Sequence, residues 1–124
     1  AIGQLARVKL MMARVLELDE TWDRGGAHLY LGGLETILPA SMGGRPDLGK
    51  IHFEKAIQLA DGKFLMTKVV YAEQYAKLMF DKVLHDRLLN EVIQADPNFD
   101  GMTLTNRIAQ ERAVVLLADG EEYF

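Results

Sequence analysis

Apolar residues recur at helical spacing from the start of the chain. Leu5, Val8, Met12 and Val15 fall every three or four positions, the interval that lines one face of an α-helix. The same period predicts helices over about 2–18, 26–38, 47–60, 64–80, 82–95 and 103–118. Pro39, Pro46 and Pro97 all fall between these segments, and no segment alternates with the two-residue period of a strand. The expected fold class is therefore all-α. Asp47 and Asp81 stand where N-caps are expected, and Gly62 and Gly120 just past helix ends. Ala27, Tyr30, Leu34 and Leu38 are expected to line one face of the second helix, and Leu65, Val69, Ala72, Ala76 and Met79 one face of the fourth.

The chain also repeats itself. Val15-Leu16-Glu17-Leu18-Asp19, Ala56-Ile57-Gln58-Leu59-Ala60 and Val92-Ile93-Gln94-Ala95-Asp96 end alike. They are offset by 41 positions from Val15 to Ala56 and by 36 from Ala56 to Val92. Taking about seven residues of the 39–46 loop out of the longer interval brings it to the period of about 34 residues typical of TPR helix-turn-helix units. Gly49, Phe53 and Ala56 have the spacing of a TPR second helix, where a small residue admits the neighbouring helix and an aromatic fills the gap. A TPR-like helical-repeat array, an α-α superhelix of about six helices, is the expected architecture.

Composition narrows the function. Of 124 residues 49% are hydrophobic and 26% charged, with 14 basic against 18 acidic side chains and a net charge of −4. One globular domain of 1–124 is expected, with a core of its own. The lack of cysteine removes thiol catalysis, thiolate metal sites and disulfides. Mild acidity without a basic run argues against nucleic acid. The longest apolar run, Ala113 to Ala118, is about a third of the roughly 18 residues that cross a bilayer. Because the first helical period is already running at Ala1, the sequence reads as a fragment lacking an N-terminal part, and any signal peptide or anchor would lie outside it.

Several motifs stop short of chemistry. Gly44-Arg45-Pro46-Asp47-Leu48-Gly49-Lys50 fits the first seven positions of a phosphate-binding P-loop, but Ile51 replaces the hydroxyl that would hold Mg²⁺ and the segment follows a helix. Asp96, Asn98, Asp100 and Gly101 match the start of a calcium loop whose last ligand would be Glu, and Arg107 stands there. An Asp-Pro-Asn turn with Thr103 capping the next helix explains the same residues. His28, His52 and His85 lack metal-ligand spacing. His52 and His85 are expected on partly exposed helix faces, whereas His28 adjoins Trp22, Tyr30 and several glycines. No nucleophile and base can be paired, so no enzyme activity, metal or cofactor is expected.

Two stretches suit binding. Gly32 and Gly33 inside a helix each cost about 1 kcal/mol relative to Ala; either a neighbouring helix approaches there or the missing side chains open a cavity. Tyr71, Tyr75 and Leu78 form a second apolar stripe on the fourth helix, core by default and ligand lining otherwise. Glu17, Asp19, Glu20 and Asp23 make an acidic corner, ordinarily solvated surface. Met42, among small residues in the 39–46 loop, marks a candidate contact segment.

Particular motifs carry a family resemblance. Leu18-Asp19-Glu20-Thr21-Trp22, Gly25-Gly26-Ala27-His28-Leu29-Tyr30-Leu31-Gly32 and His52-Phe53-Glu54-Lys55-Ala56 resemble the TPR proteins associated with TRAP transporters, the T-component family. So do Leu65-Met66, Lys68-Val69, Tyr71-Ala72, Leu84-His85-Asp86-Arg87-Leu88-Leu89 and Ala95-Asp96-Pro97. The resemblance implies a periplasmic, lipid-anchored accessory protein that docks the transporter's solute-binding receptor and holds an apolar ligand. It also implies a homo-oligomer, a trimer being the form it suggests, with membrane contact only through an anchor outside this sequence. Trp22, His28, Tyr30, Met42, Tyr71 and Tyr75 are the expected ligand- or partner-binding residues. Trp22, in a turn beside two glycines, is an interface anchor or a plug between repeats. The alternative is a generic TPR scaffold that clamps a peptide. Such clamps need basic residues on inner helix faces, and the second helix has none between Ala27 and Leu38.

Overall fold

The computed structural model describes residues 2–20 and 22–124; the side chains of Ile2, Trp22 and Asp23 also lie outside what is described. Every regular element among the described residues is helical. Contacts between helices adjacent in sequence dominate, the local pairing from which helical repeats are built. The chain divides into two compact units, Ala1–Ala60 and Asp61–Phe124.

The first unit holds α1 (Ile2–Leu18), a 3₁₀ turn at Trp22–Gly25, α2 (Gly26–Glu35), a second 3₁₀ turn at Ala40–Met42 and α3 (Pro46–Leu59). Its centre is the crossing of α2 and α3, around Ala27, Leu31, Phe53 and Ala56, all buried. Two glycines set how close the helices come. A Cβ at Gly32 would lie 2.9 Å from the Phe53 ring, and one at Gly49 would lie 2.5 Å from Thr36 Cγ2 and 3.2 Å from the Gly32 carbonyl. Close helix approach therefore accounts for Gly32, and the Gly49–Phe53–Ala56 spacing packs as expected.

Two expectations for α2 and α3 are corrected. α2 ends at Glu35, three residues early: the Thr36 hydroxyl donates to the Gly32 and Gly33 carbonyls at 2.8 and 3.1 Å, and the residue before Pro39 is kept from helical geometry. The residue flanking the start of α3 is Arg45, and Pro46 takes the first helical position, where its fixed φ and missing N–H cost nothing. Asp47 instead lies in the first turn and pairs with the Arg45 guanidinium at 3.0 and 3.2 Å.

The second unit holds α4 (Met66–Val70), which runs into a π-helical turn at Tyr71–Ala76, then α5 (Lys82–Gln94) and α6 (Thr103–Tyr123). The wider π turn accommodates an extra residue, so the face carrying Leu65, Val69, Ala72 and Ala76 is buried while Met79 is exposed. Beyond it the chain closes with a Schellman cap: the Asp81 amide donates to Ala76 O at 2.8 Å and the Phe80 amide to Lys77 O at 3.1 Å. Phe80 holds its left-handed position at φ 55°, and its exposed ring meets those of Tyr123 and Phe124. Asp81 caps α5 as expected, accepting from the Leu84 amide at 3.0 Å.

Side-chain amides of α6 bind the connections of this unit. Asn106, fully buried, accepts from the Leu65 amide and donates to the Lys63 and Pro97 carbonyls. One turn later Gln110 donates to the Val92 and Ala95 carbonyls at the end of α5. Thr103 does not cap α6; Met102 flanks its start, and the Thr103 hydroxyl donates to Phe99 O at 3.1 Å. Gly62 does follow α3, with φ 69°. Gly120, by contrast, lies inside α6, at a point where a Cβ would press on His85 Cε1 at 2.7 Å.

Candidate functional site

A polar cluster of the first unit joins three elements. His28, on the buried side of α2, meets His52 of α3 with Nδ1 to Nδ1 at 2.9 Å and ring centroids 5.1 Å apart. Its Nε2 reaches Glu20 Oε1, in the turn after α1, at 3.1 Å, and Lys55 Nζ lies 3.4 Å from the same oxygen. A carboxylate only accepts, so neutral His28 carries its proton on Nε2 and its Nδ1 accepts from His52 Nδ1–H. The hydrogen bond from His28 holds the Glu20 carboxyl below its ordinary value, helped by Lys55. Burial, and then the charge of His28, push the His52 imidazole down, with Glu35 opposing. Glu35 is itself buried in α2 and paired with Lys9 of α1 at 2.7 Å.

Beside this polar cluster α2 shows an apolar flank. Tyr30 and Ile37 are each 55% exposed, and Leu34 between them is half-buried. Tyr30 and Leu34 lie about one helical turn apart on α2, and Ile37 stands just past its end. Met42, 65% exposed, stands on the loop that follows. The face expected to be buried, Ala27–Tyr30–Leu34–Leu38, is thus rotated: Ala27, His28, Leu31, Gly32 and Glu35 point inward.

The expected site residues separate accordingly. Tyr30 and Met42 are surface residues of the first unit, and His28 is buried in its hydrogen-bonded cluster. The Trp22 side chain lies outside the described residues. Tyr71 and Tyr75 belong to the second unit, where Tyr71 is fully buried and Tyr75 half-buried, ring centroids 5.5 Å apart. Nothing in the residue pattern marks the partners His28 finds, since 24 positions separate it from His52 and Glu20 reads as part of an acidic surface.

His85 is a correction. Expected on a partly exposed face, it is fully buried, with Nδ1 2.9 Å from Asp86 Oδ1 and Nε2 without a hydrogen-bond partner among the described residues. The calcium-like segment turns its first carboxylate inward on itself, Asp96 Oδ1 accepting from both the backbone and side-chain nitrogens of Asn98 at 3.0 Å. Among the described residues no three His, Asp or Glu side chains converge as metal ligands. No helix among them is long and apolar enough to cross a membrane.

The family model described as TRAP transporter T-component matches residues 1–124, the whole of the sequence. No curated protein matches it.

Proposed function

The chain belongs to the TRAP transporter T-component family, and we propose that it acts there by binding the transporter's solute-binding receptor through the α2 flank and the 39–46 loop, with no chemistry of its own. One observation carries the choice of surface: Tyr30, Ile37 and Met42 present large apolar side chains to solvent from one short stretch of the first unit. Apolar and aromatic residues at the centre of a contact supply most of its binding energy. α2 also carries no Lys or Arg, which counts against a peptide-carboxylate clamp.

The same reading places the protein in the periplasm, held to the membrane by a segment outside this sequence and assembled from several copies. An apolar ligand belongs to it as well, with half-buried Tyr75 and Leu78 the residues of the second unit offered to one. The test is calorimetry with the purified cognate receptor against the intact chain and a Tyr30→Ala/Ile37→Ala double variant. Truncating two anchor residues is expected to weaken binding by about 30-fold or more, near 2 kcal/mol, without lowering the melting temperature. Unchanged affinity in the double variant would remove this surface from the proposal.

A further inference from the structure

The His28–His52 contact has a property that neither histidine has alone. Two imidazoles joined Nδ1 to Nδ1 share one proton, so one ring must accept. With both rings neutral, His52 donates to His28 and His28 donates to Glu20. One added proton is tolerated, because it can occupy His52 Nε2, or His28 can become the cation and donate to Glu20 and His52 together. A second leaves N–H facing N–H across 2.9 Å.

We propose that this pair is a proton-counting lock between α2 and α3, closed with no or one added proton and opened when both imidazoles are charged. The surroundings favour that behaviour. Facing the pair are Glu20 from the turn after α1, Lys55 from α3, Glu35 from α2 and Lys9 from α1 on the Glu35 carboxylate. Two acids and two bases cancel, so no net negative charge awaits the second cation. His28 is nearly enclosed, which limits how well water can screen the repulsion.

The sign follows from His52, whose affinity for a proton is lower in the folded chain than in the unfolded one. The folded state binds fewer protons between that lowered value and about 6.5, the unfolded one. The stability due to the neutral ring is therefore complete above about pH 6.5 and is lost as pH falls through the folded value. The lock is a property of α2 and α3 alone and does not depend on what the α2 flank binds.

Imidazole ¹⁵N NMR on the intact chain, with amide hydrogen exchange read over about pH 7 to about pH 4.5, tests it. The two rings should titrate in separate steps, the second well below about 6.5. At that step α2 and α3 amides should lose at least about tenfold of their protection beyond the intrinsic pH effect. In His52→Gln, whose amide still donates toward His28 Nδ1 but gains no proton, that loss should disappear. Simultaneous titration of both rings near about 6.5, or equal acid loss of protection in variant and unaltered chain, would overturn the proposal. If the variant does not fold, the titration of the unaltered chain decides alone.

Discussion

Replacing Asn106 with Ala removes a side chain that binds both the segment before α4 and the turn before α6. Three hydrogen bonds go with it, at 3.0 Å to the Leu65 amide and at 2.9 and 3.2 Å to the Lys63 and Pro97 carbonyls. The Leu65 amide matters most, because Leu65 is buried and an orphaned buried donor costs about 1–3 kcal/mol. The two carbonyls lie in turns closer to water and retain a second lone pair, so about 0.5 kcal/mol each is expected. The sum is about 3 kcal/mol, a large share of the roughly 5–15 kcal/mol that holds a domain folded. Gln110→Ala is the matched control: it orphans only the Val92 and Ala95 carbonyls and should cost about 1 kcal/mol. Urea unfolding followed by far-ultraviolet circular dichroism measures both. A loss below about 1 kcal/mol for Asn106→Ala, or one no larger than for Gln110→Ala, would refute the assignment of the cost to the buried Leu65 amide.

Gly32→Ala should destabilise the first unit by about 1–3 kcal/mol, since its Cβ would press on the Phe53 ring; restoring stability with Phe53→Leu in the same chain would show that the ring is the obstacle. Gly120→Ala should cost a similar amount by displacing His85, seen as a lower melting temperature and a shifted His85 imidazole resonance. Burial pushes the Asp86 carboxyl up, but hydrogen bonds from Lys82 and His85 outweigh it and leave the folded value below 3.8. Its contribution is therefore present above about pH 4 and lost as pH falls through the folded value; acid titration of Asp86→Asn should lack that component, and an unchanged acid profile would contradict it.

Much of the fold is legible in the apolar period. Six helical segments follow from it, because Leu, Val, Ile and Ala repeat every three or four positions and the prolines stay between elements. Boundaries went astray where side chains satisfy the backbone: Thr36 closes α2, Pro46 opens α3, and the extra residue of the π turn shifts Met79 out of the buried face. Periodicity also misplaced the buried face of α2, since that face carries His28, Gly32 and Glu35, which no hydrophobic pattern marks. Their burial depends on His52, Phe53 and Lys9, partners that only the fold brings near. Gly120 misled for the same reason: beside a buried imidazole a glycine is a packing residue within a helix, and nothing in the sequence says that His85 lies opposite. Met42 was legible as a large apolar residue among small ones and is exposed, whereas the helical period had put Tyr30 on the packed face and the structure turns it to the surface.

Calorimetric titration of the intact protein with the purified solute-binding receptor of its own TRAP transporter tests the functional reading most directly. Saturable binding is expected, at about 10⁻⁶ M or tighter, and weakened by Tyr30→Ala/Ile37→Ala. Absence of measurable heat and of complex by light scattering with receptor at about 10⁻⁴ M would contradict the proposal that this T-component acts by binding the receptor.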